Sequence, residues 1–411
     1  MTSLAQPQTR PESAVVPAKP LLIYVNVPFC NSKCHFCDWV AEVPVRDLRL
    51  TDVSPGRSRY LAAMREQIAA QAPALRLSGY RPEVMYWGGG TASILTPAEI
   101  EPIRAALLEN FDLDQIAEAT IEGSPESLDP DKLTALRSRL GFNRISIGVQ
   151  SFDGARLRMI GRSHSVDQAR AAVRAAHEAG FDNINIDLIV GFPGQSMAEV
   201  EDTARQAVQL PVNHFSVYPY RSSPGTVLRK QVMRGPGRVD LDEQLQAYAR
   251  TAEILQDAGH PEYAMSYFGT PRCQSDEAYY QLKMDWIGFG SGANSLINRR
   301  FLTNKRGDLH RYNANPTAFD MEVSAASPAL TLHFLSQALT TAEGVDARLF
   351  AQRTGMSLRE ACKHPDALAY LRNMRKHGDV IIDGTGIRLR REDISKTYIA
   401  LNWIQGPQPE Q

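Results

Sequence analysis

The chain has no apolar run of 18 residues, which excludes a predicted membrane-spanning helix. It lacks an excess of either charge: 45 Lys and Arg against 46 Asp and Glu leave a net −1, so no field steers it toward nucleic acid or an anionic membrane. Neither partner is expected, and the basic group Arg299, Arg300, Lys305 and Arg306 reads as a solvated loop. Cysteine is scarce and odd in number. Of the five, three fall within eight residues, too close together to staple a fold. That excludes a disulfide framework and predicts a reducing, cytoplasmic setting. Cys273 and Cys362 stand alone and read as small buried hydrophobes. The first 20 residues carry four prolines and no apolar core of a signal peptide, so 1–20 reads as a disordered lead-in.

What is present is concentrated. Cys30, Cys34 and Cys37 are spaced C-x3-C-x2-C behind the β-rich run 21–27. Thiolates at such spacing bind zinc or an iron–sulfur cluster. Zinc needs a fourth Cys or His at suitable spacing, and His35, inside the loop, is expected to point away. A [4Fe–4S] cube held by three thiolates keeps one iron open to a non-protein ligand.

From Leu21 onward short β-rich runs alternate with helical periodicity. Strands are predicted at 21–27, 84–87, 119–122, 144–149, 183–190 and 214–218. Helices are predicted at 58–71, from 97, from 129, and at 165–179, 197–209 and 241–258. Six β–α steps imply a parallel sheet with helices outside, an α/β architecture whose function collects at the C-terminal strand ends. The cysteine loop, the turn Gly88-Gly89-Gly90-Thr91, Glu122, Gln150 and Asp187 all fall there. The stretch 222–240 reads as a loop. The Gly-rich run 289–294 has no strand–helix frame, and 379–389 reads as a hairpin turning at Gly384-Thr385-Gly386. The expected organisation is 1–20 lead-in, 21–326 core with extension, and 327–411 a small domain of helices plus a hairpin.

The cysteine run resembles that of the radical S-adenosylmethionine (SAM) superfamily. Tyr24–Cys30, Tyr86–Thr91, Asn143–Phe152, Ile160–His164 and Asn185–Gln195 resemble one branch of it. That branch holds oxygen-independent coproporphyrinogen dehydrogenase, its heme-chaperone relatives, and the class C methyltransferases and cyclopropanases. The resemblance implies a partial (β/α)6 radical SAM barrel, a [4Fe–4S] cluster on Cys30, Cys34 and Cys37, two SAM molecules and an electron donor such as flavodoxin or ferredoxin. It implies SAM contacts from Tyr24, Gly88, Gly89, Gly90, Thr91, Glu122, Gln150, Arg162 and Asp187, with Phe36, Gly89 and Tyr218 beside a second SAM. Where the dehydrogenase carries a further cysteine, this chain has Asp38-Trp39. Where the heme chaperones carry a His-Asn pair, it has no histidine in Cys273–Tyr280. By elimination, the expected function is transfer of a methyl or methylene group to an sp2 carbon of an aromatic or alkene natural product. The alternatives are coproporphyrinogen oxidation and heme carriage. Tyr263, Tyr267, Asp276 and Glu277 are the candidate acid–base residues, while Tyr279 and Tyr280 read as core aromatics.

Overall fold

The computed structural model describes residues 18–38, 55–234, 240–390 and 392. Most of the expected lead-in, Trp39 and the chain end beyond 392 lie outside them. The expected α/β architecture is present as a mixed sheet dressed by helices.

Six consecutive parallel strands form its centre: β1 (Lys19–Val27), β2 (Tyr80–Gly89), β3 (Glu118–Gly123), β4 (Arg144–Gln150), β5 (Asn183–Val190) and β6 (His214–Pro219). Lys19 and Pro20, expected in the lead-in, open β1. Every residue of β4 is buried, as a parallel strand covered on both faces must be. Trp87 of β2 is fully buried with Phe142 edge-on at 5.8 Å.

The helices follow from local chemistry. Thr96 with Glu99, Ser165 with Gln168 and Ser196 with Glu199 form capping boxes at three starts. In Val166–Glu178 the buried residues Ala169, Ala172, Val173 and Ala176 recur at helical spacing and face the sheet. Gly180 then turns the chain at φ 90°.

Beyond β6 the sheet gains strands that periodicity does not reveal. On one side β7 (Glu262–Ala264) and β8 (Tyr267–Gly269) form a short antiparallel edge, β8 pairing with β6. On the other, β9 (Asp285–Phe289) runs parallel to β1, followed by β10 (Asn294–Ile297), β11 (Arg300–Asn304) and β12 (Phe319–Ser324), antiparallel in turn. The Gly-rich run is therefore the turn between β9 and β10. The stretch read as a loop holds a helix, Val227–Arg234, pinned where the Leu228 N–H donates to the His35 carbonyl at 2.8 Å.

After β12 come the helices Pro328–Ala338, Ala347–Thr354, Leu358–Ala361 and Pro365–Met374 and a small sheet. That sheet contains β13 (Val345–Asp346) and the hairpin β14 (Val380–Ile382) and β15 (Gly386–Leu389). Residues on both sides of 327 share one hydrophobic core. Arg353 pairs with Asp285 at 3.1 Å across the join. Among the described residues no helix is long and apolar enough to cross a membrane.

Candidate functional site

The C-terminal ends of β1 to β5 meet the cysteine loop. His35 fastens that loop from behind: its backbone N–H donates to the Ile160 carbonyl and its ring nitrogen lies 2.9 Å from the Met159 carbonyl. The imidazole thus turns away from the thiols, with Gly161 packed on its face. Thr91 Oγ1 donates to Cys30 Sγ at 3.6 Å and Arg162 Nη1 to Cys34 Sγ at 3.3 Å. Burial pushes the Cys30 thiol up, an effect the Thr91 hydroxyl opposes. All five cysteines are thiols, not disulfides.

Among the described residues no three His, Cys, Asp or Glu side chains converge on a single metal ion. A cluster does not ask for that, because each thiolate holds a different iron. Three partly exposed thiols on one loop, with donors aimed at two of the sulfurs, are a donor set that fits a cube with one open corner.

The glycine turn is locked to the same loop. The Gly90 N–H donates to the Val27 carbonyl and the Thr91 N–H to the Phe29 carbonyl, both at 2.8 Å. A Cβ on Gly90 would lie 2.5 Å from the Phe29 carbonyl oxygen, and one on Gly89, at φ 111°, would collide with Asn26 Oδ1. The backbone cradle needs bare glycine at both places.

Glu122 lies beneath this turn. It accepts from Tyr86 Oη at 2.7 Å and from the Gly89 N–H at 3.2 Å. Burial, and then the nearby Asp187 carboxyl, push it up to about 7 against donation from Tyr86. Asp187 accepts from Asn185 Nδ2 at 2.8 Å and Ser146 Oγ at 3.4 Å, and burial pushes it up as well. Gln150 ends β4 at φ 71°, an uncommon backbone state for a non-glycine residue. Arg162 Nη2 donates to the Gly148 carbonyl at 2.6 Å, and its Nε is buried without a partner.

Beside these strand ends a cavity of about 810 Å³ opens. Tyr24, Asn26 and Gly89 border it toward the cysteine loop; Asp276, Tyr279, Tyr280 and Trp286 form its far wall; Arg306 and Gln337 also line it. Tyr279 and Tyr280, on the short helix Gln274–Tyr280, both line the cavity, and Tyr279 also packs against the hydrophobic core as its reading as a core aromatic expects. Arg306 is exposed on the loop after β11, as its reading as a solvated loop cation expects, and it also lines the cavity.

The structure brings Tyr24, Gly88–Thr91, Glu122 and Asp187 together around the mouth, whereas Glu277 turns away to Lys283 at 3.0 Å and Arg272 at 3.5 Å. Tyr267 meets Tyr280 hydroxyl to hydroxyl at 3.1 Å. Phe36 packs on a small apolar cluster around Ile160 and Phe192, and Tyr218 stands 38 % exposed at the end of β6. Two contributors carried no role in the sequence. Asn26, whose Nδ2 donates to the Ser291 carbonyl at 2.7 Å, could have been noticed as an asparagine inside a strand. Tyr86 had no such signal.

A sequence profile of the Radical SAM superfamily matches residues 24–207. The heme chaperone HemW of Lactococcus lactis is 30% identical over 302 residues, covering 73% of this chain and 76% of that one. HemW of Mycobacterium tuberculosis is 32% identical over 294 residues, covering 71% and 73%. The oxygen-independent coproporphyrinogen III oxidase of Escherichia coli K12 is 31% identical over 309 residues, covering 72% and 65%. The solved structure of the E. coli coproporphyrinogen III oxidase HemN superposes with a TM-score of 0.75 at 25% identity, over 95% of this chain and 91% of that one. These relatives correct the methyltransferase and cyclopropanase expectation, and with it the assignment as a transferase. That expectation came from two missing side chains, and a missing side chain removes a role without supplying another. The chain belongs to the radical SAM superfamily, a fold that carries a [4Fe–4S] cluster and SAM, and within it to the branch of the HemW chaperones and the HemN coproporphyrinogen oxidases.

Proposed function

We propose that this protein is a SAM-dependent radical oxidoreductase that acts on the propionate side chain of a porphyrinogen of the coproporphyrinogen type. The observation that carries the proposal is the cavity of about 810 Å³ beside the cysteine loop, walled by aromatic rings and holding the cation Arg306. When bound, the cluster supplies the electron that splits SAM and so the agent that removes a hydrogen atom. The chain's own part is to hold that chemistry in register. Cys30, Cys34 and Cys37 would hold the cluster, the carbonyls and N–H groups of the glycine turn and Glu122 the amino end of SAM, and Asp187 its ribose. Arg306 would anchor a propionate, and Tyr279, Tyr280 and Trp286 would cover the macrocycle and exclude water. The side chain loses one hydrogen atom, CO2 and one electron and becomes a vinyl group, the electron passing to a one-electron acceptor.

The described cavity lining contains no histidine, cysteine or methionine, and tyrosine is the one common heme-iron donor among its residues. The absence of the commoner donors favours the enzyme over the carrier. The test is anaerobic incubation of reconstituted protein with SAM, dithionite and coproporphyrinogen III. Vinyl-bearing product and 5′-deoxyadenosine are expected to accumulate together, and Arg306→Leu should lower kcat/KM roughly tenfold through loss of a charge-assisted contact. SAM cleavage with no tetrapyrrole losing CO2 would sink the proposal.

Glu122 makes a pH prediction. Its folded pKa of about 7 lies above the ordinary 4.5, so between those values the folded state keeps a proton that the unfolded chain has lost. Stability should therefore fall as pH rises through that window. Affinity for SAM should rise there instead, because the SAM ammonium needs the carboxylate. Glu122→Gln should flatten both slopes. Calorimetric titration reads the affinity and also counts SAM: we expect two adjoining molecules per chain, and one per chain would remove the second site.

A further inference from the structure

Under the cavity lies a buried chain of hydrogen bonds whose direction can be worked out link by link. Asn185 Nδ2 sits 2.7 Å from Ser146 Oγ and 2.8 Å from Asp187 Oδ1. Turning the amide over would set a carbonyl oxygen against the Asp187 carboxyl, so Asn185 Oδ1 faces the other way, toward His214. His214 Nδ1 lies 2.6 Å from that oxygen, a contact that requires the proton on Nδ1. The Arg144 guanidinium, also a donor, stands off at 3.4 Å. Burial first, and then Arg144, keep the imidazole neutral.

Nε2 is then an acceptor, and Tyr263 Oη, 2.7 Å away, must donate to it. A phenol has one proton. Its oxygen receives the Cys273 N–H at 3.2 Å and meets Asp276 Oδ2 at 3.3 Å. With the phenolic proton committed to His214, a hydrogen shared across the 3.3 Å between Tyr263 Oη and Asp276 Oδ2 can come only from Asp276.

We propose that Asp276 stands in the cavity as a neutral carboxyl, its proton turned to Tyr263 by the Asn185–His214–Tyr263 chain, and that its remaining acceptor capacity takes an N–H of the ligand. Asn185, His214 and Tyr263 are positioning residues, since they act through Asp276. The groups facing Asp276 are Arg144 from β4, Glu118 from β3, Tyr218 from β6, Tyr263 from β7, Tyr267 from β8 and Cys273 at the head of its own helix. Burial outweighs Arg144 and lifts the carboxyl from 3.8 to about 6, so the neutral form is the majority below that pH and the carboxylate above it. The ligand half of the proposal rests on the porphyrinogen reading: a porphyrinogen carries ring N–H donors, and a metallated tetrapyrrole has none. An uncharged acceptor would favour the first.

Infrared difference spectra between the wild type and Asp276→Asn test the protonation state without SAM or turnover. A carboxylic acid C=O band assigned to Asp276, titrating at or above about pH 6, is expected. Its absence overturns the proposal. Tyr263→Phe separates the two hydrogen-bond directions. If Asp276 donates to the phenol, losing the phenol lowers the titration midpoint; a rise would mean that Tyr263 was the donor. Anaerobic calorimetric titration with coproporphyrinogen III, whose pyrrole N–H groups can turn outward, and with zinc coproporphyrin III, which has none, tests the ligand half. The wild type should prefer the porphyrinogen roughly five- to tenfold, Asp276→Asn should keep that preference through its own carbonyl, and Asp276→Ala should lose it. Equal binding of the two ligands by the wild type overturns the ligand half. Binding of neither removes the porphyrinogen reading and, with it, the ligand half, while the infrared result decides the protonation state separately.

Discussion

Cys30→Ala is expected to leave a folded protein that neither holds its iron nor cleaves SAM. Cys30 is only partly buried on a loop, so its loss should shift stability by no more than about 1 kcal/mol. The consequence for the cluster is far larger. Two thiolates cannot hold a cube that three hold with one corner already open, and Thr91 Oγ1 loses the sulfur it donates to. After anaerobic reconstitution, iron and the cluster's visible absorption should drop to background. 5′-Deoxyadenosine formation should fall below about a thousandth of wild type, with circular dichroism unchanged. Wild-type iron content and cleavage in this variant would remove the cysteine loop from the chemistry.

Gly90→Ala should be nearly as damaging although it deletes nothing. The added carbon would lie 2.5 Å from the Phe29 carbonyl oxygen and 2.9 Å from its nitrogen, which are backbone atoms one residue before Cys30. Backbone tied by the Gly90–Val27 and Thr91–Phe29 hydrogen bonds cannot swing aside as a flexible side chain would. Relief must come from a shift of the turn, of the cysteine loop, or of both. A misplacement of about 1 Å at a reacting centre costs on the order of a hundredfold in rate. We expect iron to be retained and SAM cleavage to fall by about that factor. Full activity in this variant would show that the turn and the loop move independently. Gly194, whose added Cβ would meet no atom within 4 Å but which sits at φ 68°, serves as the control for backbone strain alone.

The six parallel strands and their helices are legible because each repeats one unit: an apolar run, a polar cap and an amphipathic helix. The capping residues Thr96, Ser165 and Ser196 stand in the sequence where the helices begin. The strands β9 to β12 are not legible in that way. They are short, and their order in the sheet depends on which edge of β1 is free, a fact no local pattern contains. The cavity wall follows from the same difficulty. Tyr279, Tyr280 and Arg306 come to line the cavity only once β9 docks beside β1 and brings its neighbours to the mouth. The strand-end set Tyr24, Glu122 and Asp187 was within reach of the sequence because position at a strand end is itself periodic information. The reaction was not. Asp38, which lies 3.8 Å from Arg221, and Ser275, an amide donor to Glu118, are occupied with local structure, and neither says what the ligand is.

The strand that carries the cysteine loop is hydrogen-bonded along both edges, to β2 on one side and, from Leu21↔Asp285 to Val25↔Phe289, to β9 on the other. During synthesis these partners arrive at very different times. At about 5–20 residues per second, β2 follows β1 within seconds, whereas β9 leaves the ribosome on the order of ten seconds to a minute later. Over that interval the nascent chain has a glycine turn and three thiols in place beside a strand with one bare edge. Closure of the site waits for a segment more than half the chain away, so iron delivered early meets an unfinished pocket. The orderly sequence is to complete the sheet first and to insert the cluster afterward.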